Sequence, residues 1–212
     1  MTKAILSTAF LAPVEYYSKI YNYDEIWIEA CDNFIKQTYR NRCFIGAVNL
    51  VQNLSIPIEK GTELKTSIKD VRLSEHGNWR HQHWFAIRST YNNTPFFEYY
   101  EDDFAPFFEK RFDFLFDLNE QLRELICSLI GIEKKINYTT EYLKREEIDG
   151  SDFREIIHPK RDYKELDKEF IANPYYQTFQ DKWGFRDNLS VIDLLFNMGP
   201  ESILVLKNSI KR

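Results

Sequence analysis

The chain has 212 residues, 33 of them acidic and 28 basic, for a formal net charge of −5. A chain of this length can bury a core without disulfides or a metal. Its acidic balance speaks against general nucleic-acid binding but leaves room for a local basic pocket for a small anion. The cysteines Cys31, Cys43 and Cys127 are odd in number, show no CxxC spacing, and fit a reducing, cytoplasmic setting.

The N-terminal run "KAILSTAF" (3–10) reads as a central strand. Its apolar stretch is too short for a secretory signal, and a large residue, Phe10, would stand where cleavage after Ala12 needs a small one. Pro13 suits the first turn of a helix, and Tyr16, Tyr17 and Ile20 follow at helical spacing. "DEIWIEA" (24–30) alternates Ile26 and Ile28 against Glu25, Trp27 and Glu29, so the opening predicts β–α–β with parallel strands. Residues 42–60 predict a hairpin turning near Asn49, with Pro57 ending its second arm or sitting at an edge, and 66–73 predict one more short strand of the same sheet.

Helical spacing takes over at 78–93, where Trp79, His83, Ile87 and Tyr91 form one ridge. The aromatic, acidic stretch 95–112 predicts a helix interrupted at Pro106. Residues 114–132 predict a long helix with Leu118, Leu122, Leu125 and Leu129 on one side and Gly131 as its C-cap. A late strand is expected within 134–139, and two short helices in 190–199 and 200–210. Between them, 146–168 is charged and aperiodic, which predicts a long loop or lid. The fold class is therefore α/β: one domain over 1–212, mainly sheet to 75 and mainly helical over 76–132. No run of about eighteen apolar residues occurs, so no membrane span is expected.

"KQTYRNRC" (36–43) gathers Lys36, Arg40 and Arg42 beside the amides Gln37 and Asn41, in an acidic chain. If extended, it places Lys36, Thr38, Arg40 and Arg42 on one face. Arginine supplies a rigid fork of donors that matches phosphate or carboxylate. The cations either hold an anionic group, or form a solvated edge or pair with Glu25, Glu29 or Asp32. His83 lies one helical turn after Trp79 and is a candidate general base, or else a packed core histidine. His81 and His83 cannot share a helical face, which argues against zinc, and no metal ligands are assigned. Lys160 and Arg161 of "IIHPKRD" (156–162), with Lys182 of "DKWGF" (181–185), could close over an anion as a lid, or else form a solvated charged loop. Walker, GxGxxG and GxSxG motifs are absent. No cofactor is indicated.

Several features stand in a fixed order: Pro13 to Tyr17, Asn41-Arg42, "LSIPIEKG", Trp79 to His83, Tyr91 to Phe96, "FDFLFDLNEQL", and "PYYQTFQDKWGFRDNLSVIDLLFNMGP" near the end. In this the chain resembles the WbqC-like family over nearly its whole length, most closely the Bacteroidetes branch. Other branches carry Gln-Pro-Asn-Tyr-x-Pro-Trp at the first turn. Here Pro13 is kept, but the Gln, Asn and Trp are not. The resemblance implies a role in lipopolysaccharide O-antigen or surface-polysaccharide biosynthesis, proposed for the family as transfer of a glycine or other aminoacyl group to a sugar. The first strand, turn and helix also faintly resemble nucleotidyltransferases, whose turn histidines this chain lacks.

The expectation is a group transferase acting on a small anionic substrate: a sugar, nucleotide-sugar or phosphate. Lys36, Arg40, Asn41, Arg42 and Trp79 would bind it, and His83 would act as base. The alternative is a non-catalytic module that binds a phosphorylated ligand or a partner protein.

Overall fold

A computed structural model describes residues 1–48, 50–59 and 65–211. Strand β1 (Lys3–Ser7) carries Ala4, Ile5 and Leu6, all fully buried, because a parallel strand is covered on both faces. Helix α1 (Val14–Asn22) buries Tyr16, Tyr17 and Ile20, and the chain returns as β2 (Glu25–Glu29), parallel to β1 with Ile5 opposite Trp27. The predicted β–α–β opening is present.

Two more strands complete the sheet. β5 (Ile136–Tyr138), the expected late strand, pairs parallel with β2, and β6 (Ser151–Asp152) pairs parallel with β1. The order is β5-β2-β1-β6. The chain thus moves outward from β1 through β2 to β5 and then returns to the opposite side of β1. Such a reversal leaves a crevice at the carboxyl ends of the two strands that flank it.

The hairpin is β3 (Arg42–Ala47) and β4 (Leu50–Ser55), but it forms its own two-stranded sheet and does not join the parallel one. Its turn residue Asn49, and Lys60 and Gly61 at the end of "LSIPIEKG", lie outside the described residues. The strand expected at 66–73 is a 3-10 turn, Ile68–Asp70, flanked by single bridges from Asn33 to Ser67, Ile58 to Leu73 and Arg72 to Phe114. Its buried residues Ile68, Val71 and Leu73 do not keep the period of two that a half-buried strand needs.

Helices α2 (Trp79–Tyr91), α3 (Phe97–Glu109) and α4 (Leu115–Ile130) follow as a helical block. α3 runs through Pro106 without interruption; the ring forgoes an amide donor to the turn before it, and its carbonyl still accepts the Lys110 amide at 3.0 Å. Gly131 ends α4 at φ 80°, the left-handed cap expected of it. The segment 146–168 is mostly loop, with β6 and the short α5 (Tyr163–Leu166), yet it buries Phe153, Arg154, Ile157 and Asp167. After the short α6 (Gln180–Trp183), helices α7 (Val191–Met198) and α8 (Ser202–Asn208) close the fold. Phe196 of α7 anchors the aromatic core, with Tyr91, Phe97 and Phe104 edge-on to it at 5.3, 5.1 and 5.2 Å between centroids.

Buried charge ties the late segment to α1. Lys19, fully buried, binds the Asp167 carboxylate at 2.7 Å and lies 4.5 Å from the centre of the Phe153 ring. Glu15, one turn earlier, accepts from Asn188 Nδ2 at 2.8 Å. Burial pushes the Glu15 carboxyl up to about 8; the Asn188 bond opposes this, the adjacent Asp167 adds to it, and Lys19 opposes it weakly. A carboxyl raised to about 8 favours the protonated form at neutral pH. Because its folded value lies above its unfolded one, the stability this group contributes is present below about pH 4.5 and is lost as pH rises through about 8. Glutamine reproduces the protonated form. Glu15→Gln is expected to be more stable than the parent by about 1–3 kcal/mol at pH 8 and near equal at pH 5, measured by urea unfolding. A parent whose stability does not fall between those pH values relative to the variant would contradict the protonated assignment.

Candidate functional site

The crevice at the carboxyl ends of β1 and β6 is lined by charge. Glu29 ends β2 and is 1% exposed. Its Oε1 accepts from Thr139 Oγ1 at 2.5 Å and the Cys31 amide at 2.9 Å; its Oε2 accepts from Arg154 Nη1 at 2.8 Å. Arg154, two residues past β6, also grips Asp152 with Nε and Nη2, both at 2.9 Å. That fork-to-fork pairing is the strong form of a guanidinium–carboxylate bond. Burial alone would raise the Asp152 carboxyl, but the Arg154 bonds and charge outweigh it and hold it below its ordinary value.

Arg40 forms the opposite wall. It is 2% exposed, and its Nη2 donates to Ser7 Oγ at the end of β1 (3.0 Å) and to the Asp32 carboxylate. Ser7, Arg40 and Arg154 line a small inner chamber of about 10 Å³, room for roughly one water. Asp32, Tyr142, Arg145, Asp152, Arg154 and Arg161 line an outer cleft of about 420 Å³, the size range of small-molecule sites. Arg154 borders both spaces.

The rim is cationic. His158 is held below its usual value by burial and by the charges of Arg161, Arg40 and Lys160, with Glu155 opposing. Lys160 reaches the Gln37 side chain, so the segment 146–168 does touch the "KQTYRNRC" stretch. Lys182 does not join them: it binds the Val48 carbonyl at 3.2 Å, on the hairpin. On the other side of β1, Glu120 accepts from Thr8 Oγ1, Arg123 Nε and the Tyr138 hydroxyl at 2.7, 2.8 and 3.1 Å. Among the described residues, no three His, Cys, Asp or Glu side chains are grouped so that they could hold a metal ion.

The sequence expectations divide here. Arg40 lines the crevice, and its pairing with Asp32 is one of the expected alternatives for the stretch. Lys36 is exposed, because the stretch is not extended: Gln37 turns at φ 65° and Tyr39–Asn41 form a 3-10 turn, so Lys36, Arg40 and Arg42 share no strand face. Asn41 donates to the Ile56 carbonyl at 2.8 Å, and Arg42 pairs across the hairpin with Ser55. Trp79 is buried, with its indole N–H on the Ser74 carbonyl at 2.9 Å. His83 is 6% exposed and packs against the Trp79 and Phe10 rings at 5.2 and 6.0 Å. Its imidazole bonds the Ser55 backbone, while Nδ1 has no hydrogen-bond partner among the described residues. Burial lowers it to about 4, only partly offset by the Ser55 bond. Among them, only Arg40 lines either space, and it lines the inner chamber. Asn41, Arg42 and His83 gather instead at the Ser55–Ile56 end of the hairpin.

Arg154, Glu29, Asp152 and Ser7 were missed as site residues. A signal existed: polar and charged residues at the ends of apolar parallel strands, Ser7 after "KAIL" and Glu29 after "EIWI". Arg154 had none, because β6 is two residues long and has no readable period.

Arg154→Ala would leave Glu29 and Asp152 facing each other without a cation. It is expected to cost about 3–5 kcal/mol in urea unfolding at pH 7, because a buried pair loses one partner. A loss under about 1 kcal/mol would mean the guanidinium is not needed to hold the crevice together.

Comparison with known proteins bears on the whole chain. It is similar to the uncharacterized protein Rv1507c of Mycobacterium tuberculosis, 25% identical over 220 residues that cover 94% of each chain. No solved structure matches. The WbqC-like protein family matches residues 8–165, a span that takes in β2 through β6 and every crevice residue named above except Ser7, and the chain belongs to that family.

Proposed function

We propose that the protein is a group transferase acting on an anionic sugar or nucleotide-sugar in bacterial surface-polysaccharide synthesis, with the crevice between β1 and β6 as its binding site. The observation that carries this is the cleft of about 420 Å³ at the strand reversal, with guanidinium groups in its walls. A cleft of that size and charge suits a phosphate-bearing sugar. The rim cations Lys160 and Arg161 would meet the anion first. Carboxylates in the wall, Asp152 among them, suit sugar hydroxyls, which donate hydrogen bonds. Holding donor and acceptor side by side would itself supply much of the rate. Transfer of an acyl group needs a base to take the proton of the attacking hydroxyl or amine. His83 is neutral above about pH 4 and is in the right protonation state, but it would have to reach the reacting atoms from beyond the Phe10 ring.

The non-catalytic alternative is favoured by one observation: His83 does not line the cleft.

A thermal-shift screen of sugars, sugar phosphates and nucleotide-sugars tests the binding half. Phosphorylated members should raise the melting temperature, the matching neutral sugars should not, and Arg161→Ala should weaken the response. Equal response to neutral sugars would remove the anion requirement. Arg42→Ala should keep the phosphate response if the seat is in the crevice and lose it if the seat is at the hairpin. With a turnover substrate in hand, His83→Gln should bind normally and lose about a hundredfold or more in kcat if the histidine is the base. Turnover within a few-fold of the parent leaves His83 a packing residue.

A further inference from the structure

The crevice raises a problem. Its buried guanidiniums already have carboxylate partners, so an incoming anion must either use only the rim or replace a carboxylate. The partners are not equally held. Glu29 receives bonds from Arg154 and Thr139 side chains and from the Cys31 and Leu143 amides. Asp152 receives three from Arg154, two by the guanidinium and one by its amide at 3.1 Å. Asp32 is different. Besides Arg40, its carboxylate accepts, among the described residues, the amide of its own neighbour Asn33, at 2.7 Å. Its side chain is 15% exposed, whereas that of Arg40 is 2% exposed. Asp32 lines the outer cleft and Arg40 the inner chamber, so their pair sits where the two spaces meet.

The usual anion site in such a sheet is closed. A ligand's phosphate commonly sits on the first helix after β1, bound by free backbone N–H groups. Here the first N–H groups of α1 are taken: Val14 donates to the Leu189 carbonyl and Glu15 to Asn188 Oδ1, both at 3.0 Å. At the end of β1 stand the Ser7 hydroxyl, whose bond to the Arg154 carbonyl is long at 3.5 Å, and the Arg40 guanidinium, 3.0 Å from it.

We propose that Asp32 occupies the phosphate seat of the free protein: its carboxylate is an exchangeable counterion on Arg40, and a phosphate or diphosphate group of the ligand displaces it to bind Arg40 and Ser7. The proposal deepens the functional reading above and rests on the same crevice. A carboxylate and a phosphate oxygen present similar geometry to a guanidinium fork, and a dianionic phosphate carries more charge, so the exchange favours the ligand. The internal carboxylate keeps Arg40 from being a buried, unpaired cation while the site is empty, and it raises the ligand concentration at which the seat fills.

Inorganic pyrophosphate is the probe, measured by titration calorimetry on the full chain. Asp32→Asn keeps the side-chain shape and removes the competing charge, so it should bind pyrophosphate about tenfold tighter than the parent. Arg40→Lys should bind it at least tenfold more weakly. A folded Asp32→Asn with unchanged or weaker affinity overturns the proposal, as does the absence of binding to both parent and variant. If Asp32→Asn fails to fold, the parent decides by amide-resolved hydrogen exchange. Displacement frees the Asn33 amide from Asp32 Oδ1, so Asn33 should exchange faster with pyrophosphate bound; slower exchange would show that the carboxylate stays in place. None of these measurements needs turnover. A seat that passes them in a protein that transfers nothing would refute the transferase reading alone.

Discussion

A single buried guanidinium, that of Arg154, holds the crevice in shape. It ties Asp152 at the short edge strand β6 to Glu29 at the end of β2, passing the carboxyl end of β1 between them. β6 has only two residues and two register pairs with β1, far too little ladder to fix its own position. The ion pairs supply what the ladder does not. In return, the strand ends place the carboxylates so that a cation 7% exposed is fully paired. Without those partners, burying that charge would cost several kcal/mol.

The same logic runs through the molecule and explains how an acidic chain carries so many buried cations. Lys19 sits on Asp167, Arg123 on Glu120, Arg40 on Asp32. Lys19–Asp167 and Arg154–Glu29 link the 146–168 region to α1 and to the end of β2, whereas Arg123–Glu120 lies within α4 and Arg40–Asp32 within the loop after β2. Secondary-structure pairing is sparse between those parts, so charge takes on part of the positioning. Glu15 shows the limit of the arrangement. Burial and the neighbouring Asp167 push its carboxyl up to about 8, while Lys19 is already shared between Asp167 and Glu169.

Most of the fold's layout could be read from local pattern. The β–α–β opening, the hairpin at 42–55, the helix of 115–130 with its glycine cap and the two C-terminal helices each carry a period or a cap that depends on neighbours within one or two turns. The failures have a common cause. Residues 66–73 are strand-formers by composition, but their buried positions answer to Asn33, Ile58 and Phe114, which are distant in sequence. "KQTYRNRC" would be extended by propensity, yet a left-handed Gln37 and a 3-10 turn bend it so that only Arg40 enters the crevice.

By itself, the sequence determined the class of fold, the membership its ordered motifs carry, and the presence of a cationic cluster in an acidic chain. Those properties reside in composition, period and order along the chain. Only the tertiary structure decided which cations meet. Arg40 and Arg154 stand far apart in the chain, and they share a chamber because β6 returns beside β1. That return is invisible in two residues of strand. Trp79 and His83 are one turn apart on α2, and that spacing could not say whether their face looks into a cleft or onto the Phe10 ring. The packing of α2 against the hairpin settled it, because a face is buried only by what the rest of the chain lays over it.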